Sequence, residues 1–172
     1  LKECSQEMRK EILNFYGSPE AAIGFGTGAG GDIMKKIDLV AEKALREVLE
    51  ESKVSCTLIS EETGTRKIGH KPSEFYVTTD PVDGTTNAVR GIPFMATAIA
   101  VSKAPYLKDV ETALVSDLFH NVTYTAQRDQ GAFRNGKKIK PSQTSSLEEA
   151  VVGVDFNMFR LGELVARLEG VL

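Results

Sequence analysis

A ten-residue segment, TTDPVDGTTN at positions 78–87, constrains the fold of this chain more than any other part of the sequence. The aromatic and β-branched residues at and before its start predict a strand. Pro81 fixes φ and lacks an N–H group, so we expect the chain to turn sharply after Asp80. Asp80 and Asp83 would then point into one space from two sides of the turn, with the Val82 carbonyl between them.

Helical patterns come first along the chain, and strand patterns follow. Apolar residues recur with a helical period over residues 1–16 and 39–49, and Asp38 stands at the natural N-cap position of the second helix. Strands are predicted at residues 54–59, 75–79, 97–102, 112–115, 122–126 and 151–154, with a hairpin turn at Asn135-Gly136 and a helix at 161–172. This order predicts an α+β fold with a largely antiparallel sheet rather than repeated βαβ units.

Composition narrows the classes of function. The 172 residues suffice for one domain with a hydrophobic core, or for one domain and part of another. A net charge of −3 argues against a nucleic-acid surface, and no apolar run approaches the length of a membrane span. Cys4 and Cys56 are far apart in the sequence and predict buried or free thiols rather than a disulfide framework or a zinc site. We therefore expect a cytoplasmic protein that binds neither nucleic-acid polymers nor membranes.

Acidic residues collect where two of the predicted strands end. Glu61 and Glu62 follow the strand at 54–59, and Asp80 follows the strand at 75–79. If these strands are neighbours in one sheet, Glu61 and Asp80 emerge at the same edge. Carboxylates that lie so close together repel one another, and proton sharing or a bound divalent cation relieves the repulsion. Oxygen ligands without convergent His or Cys favour Mg²⁺ or Mn²⁺ over zinc.

A phosphate site is predicted beside these acids. If a helix begins at Gly84 and Thr85, the first N–H groups of that helix are unpaired and suit a phosphate. Adjoining metal and phosphate sites are what metal-assisted phosphate-ester hydrolysis needs. The alternative is a plain turn, because Asp, Pro, Gly and Asn all favour turns. The pair Glu61-Glu62 at a second strand end favours the metal interpretation.

The sequence resembles the inositol monophosphatase superfamily at several places. Residues 80–87 resemble its D-P-[IL]-D-G-[TS]-x-N signature, residues 59–62 its G-E-E element with Ser in place of Gly, and residues 131–136 its G-A-[FW]-x-N-G hairpin. The combination of GTGAGG, K-x-I-D-x-x-A-E and I-S-E-E-x-G is most similar to the archaeal-type branch, whose members act on inositol monophosphate and fructose 1,6-bisphosphate. The resemblance implies a layered α/β sandwich of the sugar phosphatase, fructose-1,6-bisphosphatase-like type.

The resemblance implies a metal site of four residues. Glu61 and Asp80 would hold a first ion together with the carbonyl of Val82. Asp80 and Asp83 would share a second ion. The implied cofactor is Mg²⁺, with Mn²⁺ able to substitute.

The resemblance also implies catalytic and phosphate-binding roles. Asp38 would hydrogen-bond Thr85, and this pair would orient the attacking water and help to deprotonate it. Glu62 would support the metal ligands without binding an ion itself. The amides of Gly84 and Thr85 would hold the phosphate. Attack would be in line, without a covalent phosphoenzyme. Taken without the resemblance, Asp38 is more simply a helix N-cap.

Further expectations concern the rest of the protein. The substrate would be a small phosphorylated sugar or inositol, and the enzyme a homodimer. Residues 1–172 would form the N-terminal metal- and phosphate-binding domain, with the start of the C-terminal domain near 150–172. The remainder of the C-terminal half, with a W-D-x-A-A-G-like motif that supplies another aspartate, would lie outside this chain.

Three alternatives stay open. One is a 3′(2′),5′-bisphosphate nucleotidase of the same superfamily. Another is a chain that retains the fold but serves mainly as a dimer partner. The third is a non-enzymatic module that binds a metal, or that binds a dinucleotide because residues 26–31 contain GxGxxG. A helix precedes that patch and no βαβ unit follows, so we expect a mobile loop near the active site, in which Asp32 helps to anchor an ion.

Overall fold

The computed structural model describes residues 1–153 and, beyond them, residue 162. Leu1–Lys140 form one compact unit, and Pro141–Leu172 belong to a second. In the described part of the second unit, a short 3₁₀ helix spans Leu147–Glu149. The strand predicted at 151–154 is wrong for residues 151–153, which are irregular, and the helix predicted at 161–172 lies, apart from residue 162, outside the described residues.

Two long helices form one layer of the first unit. Helix α1 spans Lys2–Phe15, and helix α2 spans Lys36–Glu51. Each buries the apolar side predicted by its helical period, and the two sides join a core with strand residues. The buried helix residues include Cys4, Met8, Ile12, Ile37, Ala41, Leu45 and Val48. No helix in the described part of the chain is long and apolar enough to span a membrane.

The second layer is an eight-stranded sheet. Its strands are β3 (Cys56–Ser60), β4 (Gly64–Ile68), β5 (Phe75–Asp83), β6 (Ala96–Ser102), β7 (Val110–Asp117), β8 (Val122–Gln127), β9 (Gly131–Arg134) and β10 (Lys137–Ile139). Their order is β10-β9-β8-β7-β6-β5-β3-β4, and every pair is antiparallel except β3 with β5. This confirms the predicted α+β fold with a largely antiparallel sheet.

The β9–β10 hairpin confirms one turn prediction. Asn135 and Gly136 both have positive φ, 48° and 77°. These angles are those of a type I′ turn, which the Asn-Gly dipeptide favours. Strand β4, in contrast, was not predicted. Its middle residues are exposed and polar, so the segment lacks the apolar alternation that marks a strand.

The glycine-rich patch is partly ordered as strand. Strands β1 (Gly24–Thr27) and β2 (Ile33–Lys35) pair in a separate two-stranded sheet, with residues 28–32 as its turn. The predicted loop at 26–31 is therefore wrong for its first two residues.

Strand β5 does not end where the sequence predicted. It continues through Asp83, and the expected sharp turn after Asp80 is wrong. Asp80 pairs with Ala98 and Asp83 with Ala96, so β5 carries one extra residue in this interval. That is a β-bulge, which bends a strand without ending it. The chain turns instead at Gly84, whose φ is 93°, and helix α3 (Thr85–Val89) begins directly after it.

Candidate metal and phosphate site

The parallel pairing of β3 and β5 brings two acids to one edge of the sheet. Ser60 lies beside Thr79 in the register of these strands, and Glu61 and Asp80 are the next residues of each. The Glu61 N–H donates to the Thr79 carbonyl at 3.2 Å, which extends the pairing by one step. The sequence-based expectation that these strands are neighbours is confirmed.

The carboxyl group of Asp80 is partly buried and lies near other acidic side chains. Burial, followed by the charges of Glu61 and Asp83, raises the pKa of Asp80 to about 7. The Val82 N–H donates to Asp80 Oδ1 at 3.1 Å and offsets part of this rise. A pKa near neutrality means that the Asp80 carboxyl group keeps its proton to a higher pH than an ordinary aspartate does.

Glu62 lies among the same acidic residues. Burial raises the pKa of Glu62 to about 7, and the charges of Asp38, Glu61, Asp80 and Glu42 add to the rise. Acids from α2, β5 and the end of β3 therefore converge on one region, although they are distant in sequence.

Asp38 and Thr85 meet across the site. The Thr85 hydroxyl lies 2.8 Å from Asp38 Oδ1 and 2.9 Å from the Val82 carbonyl oxygen, so its proton is shared between two acceptors. Asp38 is 1% exposed, and burial raises its pKa while the Lys35 N–H and the Thr85 hydroxyl oppose that shift. The predicted contact between Asp38 and Thr85 is present.

The predicted N-cap position of Asp38 is wrong. Helix α2 begins at Lys36 and its N-cap is Lys35, so Asp38 lies at the third helical position. From there, Asp38 Oδ2 accepts the Lys35 N–H at 2.8 Å. This reach back to the N-cap amide is half of a capping box, and it leaves the other carboxylate oxygen for Thr85.

Gly84 turns the chain from the acids into α3. An added Cβ would lie 2.9 Å from the Phe94 carbonyl oxygen, and the residue has a positive φ, so both space and backbone conformation require glycine. The first N–H groups of α3, from Thr85 onward, have no acceptor within the helix. Only Gly84 separates the first of these N–H groups from Asp83 in the chain.

The turn of the β1–β2 hairpin lies against the acids, as predicted for the glycine patch. The Gly30 N–H donates to the Glu61 carbonyl at 2.8 Å, and the Ala29 N–H donates to the Glu62 carbonyl at 2.9 Å. A Cβ on Gly30 would lie 2.7 Å from Glu61 Cγ. Asp32 contributes its carbonyl, which accepts the Gly28 N–H at 2.8 Å and closes the turn.

The donor set fits a hard divalent cation. Glu61, Asp80, Asp83 and the Val82 carbonyl offer oxygen only. Burial and the neighbouring negative charges raise the pKa of Asp80, and a cation would balance those charges. Within residues 1–153, no three His, Cys, Asp or Glu side chains already form a metal-binding arrangement. The site as described is thus a set of neighbouring acids and not a preformed cage.

Space for a ligand adjoins these acids. A cavity of about 690 Å³ is lined mostly by residues of β3, β5, β6 and β7, Asp80 among them, and also by Gly30 and Glu61. A smaller one of about 220 Å³ is lined in part by Asp83 and Gly84. The first lies within the usual size range of small-molecule sites.

The sequence analysis gave Glu42 no role, although this residue is the last one of the K-x-I-D-x-x-A-E pattern. This α2 residue is 2% exposed and lies four positions after Asp38, on the same helix face. Its carboxylate accepts the hydroxyl groups of Ser60 and Thr63, each at 2.5 Å. Two signals were available: the place of Glu42 in that pattern, and a charged residue within the apolar side of an amphipathic helix.

The sequence is similar to a family of known proteins over most of its length. Residues 5–161 match the model of the inositol monophosphatase family. The chain is 36% identical over 158 residues to a fructose-1,6-bisphosphatase/inositol-1-monophosphatase of Methanothermobacter thermautotrophicus, covering 87% of this chain and 56% of that protein. It is 34% identical over 167 residues to a bifunctional NADP phosphatase/NAD kinase of Methanococcus maripaludis, covering 87% of this chain and 29% of that protein.

A solved structure shares the fold. An inositol monophosphatase–fructose 1,6-bisphosphatase crystal structure superposes with a TM-score of 0.71 at 31% identity, over 84% of this chain and 54% of the other. The predicted sugar-phosphatase type of fold is thereby confirmed. The chain spans about half the length of these relatives, 56% of one and 54% of the other, and less of the bifunctional protein.

Proposed function

The chain belongs to the inositol monophosphatase family, and from that premise we propose that it carries the metal- and phosphate-binding domain of a Mg²⁺-dependent phosphomonoesterase. The proposed substrates are inositol monophosphate and fructose 1,6-bisphosphate, in line with the name of the relative that is 36% identical. The observation that carries the proposal is the parallel register of β3 and β5, which brings Glu61 and Asp80 to one sheet edge.

We assign the cation to the acidic edge. Glu61, Asp80 and Asp83 would hold Mg²⁺ together with the Val82 carbonyl oxygen, and Mn²⁺ would substitute because it accepts the same oxygen ligands. When bound, the cation supplies positive charge to the carboxylates and to the phosphoryl oxygens. The rise in the pKa of Asp80 to about 7 supports this assignment, because burial and, after it, the charges of Glu61 and Asp83 disfavour an uncompensated carboxylate there.

The Asp38–Thr85 pair would handle the attacking water. Since the Thr85 hydroxyl donates to Asp38 Oδ1 and the Val82 carbonyl, its own lone pairs remain available to accept a hydrogen bond from water. The buried Asp38 carboxylate fixes the direction of that hydroxyl and is the base that we expect to receive the proton. Glu62, beside Glu61, would support the site from behind.

The phosphate would lie at the start of α3. The amides of Gly84 and Thr85 are the proposed donors, and the glycine lets the backbone come close to the ligand. Because Asp83 precedes Gly84 directly, one turn of chain would contact both cation and phosphate.

The test is Asp83→Asn in the intact protein, assayed for phosphate release from inositol 1-phosphate and fructose 1,6-bisphosphate with Mg²⁺. We expect hydrolysis to fall to nearly nothing while the circular dichroism spectrum is unchanged. Asp129→Asn is the matched control, because Asp129 is exposed in the turn between β8 and β9 and already has a positive φ that Asn tolerates. Undiminished turnover by Asp83→Asn contradicts the proposal.

A nucleotide phosphatase is the second candidate function. It is favoured by the relative named as a bifunctional NADP phosphatase/NAD kinase, which is 34% identical to this chain. Turnover of adenosine 3′,5′-bisphosphate and NADP, compared with inositol 1-phosphate and fructose 1,6-bisphosphate, separates the two. Saturable binding of NAD without metal, and no hydrolysis of any of these esters, would instead favour a non-enzymatic module.

A further inference from the structure

Glu42 is a buried carboxylate whose bonding partners all lie in one short segment. It is 2% exposed, and within residues 1–153 it forms no salt bridge. Its two oxygens instead accept the Ser60 hydroxyl at 2.5 Å and the Thr63 hydroxyl at 2.5 Å. Such short O–H···O⁻ distances are typical of charge-assisted hydrogen bonds, which are stronger than neutral ones.

These two hydroxyl groups flank the acids at the end of β3. Ser60 directly precedes Glu61, and Thr63 directly follows Glu62. One carboxylate therefore fastens the segment at both ends. Because the Ser60 hydroxyl donates to Glu42, its lone pairs are free for the Glu62 N–H, which lies 3.2 Å from Ser60 Oγ.

The backbone between those two hydroxyl-bearing residues is held on its other sides as well. The Glu61 N–H donates to the Thr79 carbonyl, and the Glu61 carbonyl accepts the Gly30 N–H. The Glu62 carbonyl accepts the Ala29 N–H. Together with the bond to Ser60 Oγ, all four backbone polar groups of Glu61 and Glu62 are paired. Glu42 is the charged group in this set of contacts, and it acts from helix α2.

A purely structural role explains this arrangement poorly. Buried charges are costly, and well-packed apolar groups often serve stability equally well or better. A metal ligand, in contrast, must be held within about 0.5 Å of its productive position by the contacts around it. We propose that Glu42 is a positioning residue that fixes the segment from Ser60 to Thr63, so that Glu61 faces the cation. This inference rests on the proposed function, because it concerns the same carboxylate site.

The experiment measures Mn²⁺ binding to the intact protein by electron paramagnetic resonance, without substrate. Loss of contacts that orient a ligand typically lowers metal affinity by about 10–100-fold, and we expect a loss in that range for Glu42→Ala. Glu42→Gln should recover part of the affinity, because the amide accepts from one hydroxyl and donates to the other. Thr63→Val and Ser60→Ala remove the partner hydroxyl groups singly and should weaken binding in the same direction.

The control separates positioning from general loss of stability. Leu45→Ala also shortens a fully buried α2 side chain, and it should lower the unfolding temperature without changing Mn²⁺ affinity. If Glu42→Ala does not fold, Glu42→Gln and Thr63→Val carry the test, since each keeps the size of its side chain.

The outcomes distinguish this inference from the proposed function. If folded Glu42→Ala binds Mn²⁺ with the affinity of the wild type, the positioning role is overturned and the phosphatase proposal stays intact. If Glu42→Ala does not fold, the same result for Thr63→Val has the same meaning. A wild-type protein that binds no Mn²⁺ overturns both. A loss of affinity shared equally by Leu45→Ala also overturns the positioning role, because general destabilisation would then explain it.

Discussion

The hydroxyl oxygen of Thr85 lies 2.8 Å from Asp38 Oδ1, although 47 positions separate the two residues in the sequence. One belongs to the start of helix α3 and the other to the first turn of helix α2. Their contact joins the helix layer to the turn that follows the acidic end of β5.

Thr85→Ala should lower kcat by about 10²–10⁴-fold, the usual contribution of positioned acid–base groups. The variant removes the hydroxyl that orients the water and leaves Asp38 with one donor fewer. Thr85→Ser keeps the hydroxyl and is expected to retain most of the activity. Steady-state kinetics with Mg²⁺ and inositol 1-phosphate measure the difference; equal rates for wild type and Thr85→Ala would exclude the role.

The pH dependence of stability should reveal the crowded carboxylates. The pKa of Asp80 rises from 3.8 to about 7 on folding, so the folded state favours the protonated form. The contribution of Asp80 to the stability of the folded state is fully present below about pH 4 and is lost as pH rises through about 7. The free energy of unfolding of the metal-free protein, measured with urea, should therefore decline from pH 4 to pH 8. This decline should be smaller in Asp80→Asn. A wild-type pH profile that coincides with that of Asp80→Asn would contradict the prediction.

Cation binding should depend on pH in the opposite sense. A carboxyl group must lose its proton to act as a ligand, and the pKa of the proposed ligand Asp80 is raised to about 7. Mg²⁺ affinity measured by calorimetry should therefore increase from pH 5.5 to 8, with proton release visible as a dependence of the heat on the buffer. An affinity that is flat across this range would mean that Asp80 does not bind the ion.

Gly30→Ala should weaken Mn²⁺ binding by about tenfold or more, because its Cβ would lie 2.7 Å from Glu61 Cγ and displace that side chain. Gly31→Ala is the matched control. Its Cβ would meet nothing within 4 Å, but its φ of 99° strains any other residue. The control should lose about 1–2 kcal/mol of stability and keep its affinity for Mn²⁺. Equal affinities in the two variants would argue against a steric effect on Glu61.

The two thiols should be unreactive in the native protein. Cys4 and Cys56 are 2% and 0% exposed, and burial raises the pKa of both. A raised pKa lowers the thiolate fraction, and thiolate is the reactive species. Labelling with a disulfide reagent at pH 8 should be slow until denaturant is added, after which both cysteines react. Rapid labelling of the folded protein would contradict the described burial.

The sequence by itself determined the features that local chemistry encodes. The period of apolar residues fixed helices α1 and α2, the Asn135-Gly136 dipeptide fixed its hairpin, and acids after two strand patterns marked the candidate site. Only the tertiary structure decided that β5 passes through Asp83 as a bulge, because that depends on its register with β6. A local reading of Pro81 favoured a turn instead.

The tertiary structure also decided which acids meet and what holds them. Strand β4 is exposed along most of its length and exists through its pairing with β3, a partner that its own pattern does not reveal. Glu42 ends the K-x-I-D-x-x-A-E pattern, but its role becomes visible only where β3 brings Ser60 beside it, 18 positions later in the chain. A side chain's burial and hydrogen-bond partners arise from segments distant in sequence, so local residue patterns constrain them only weakly.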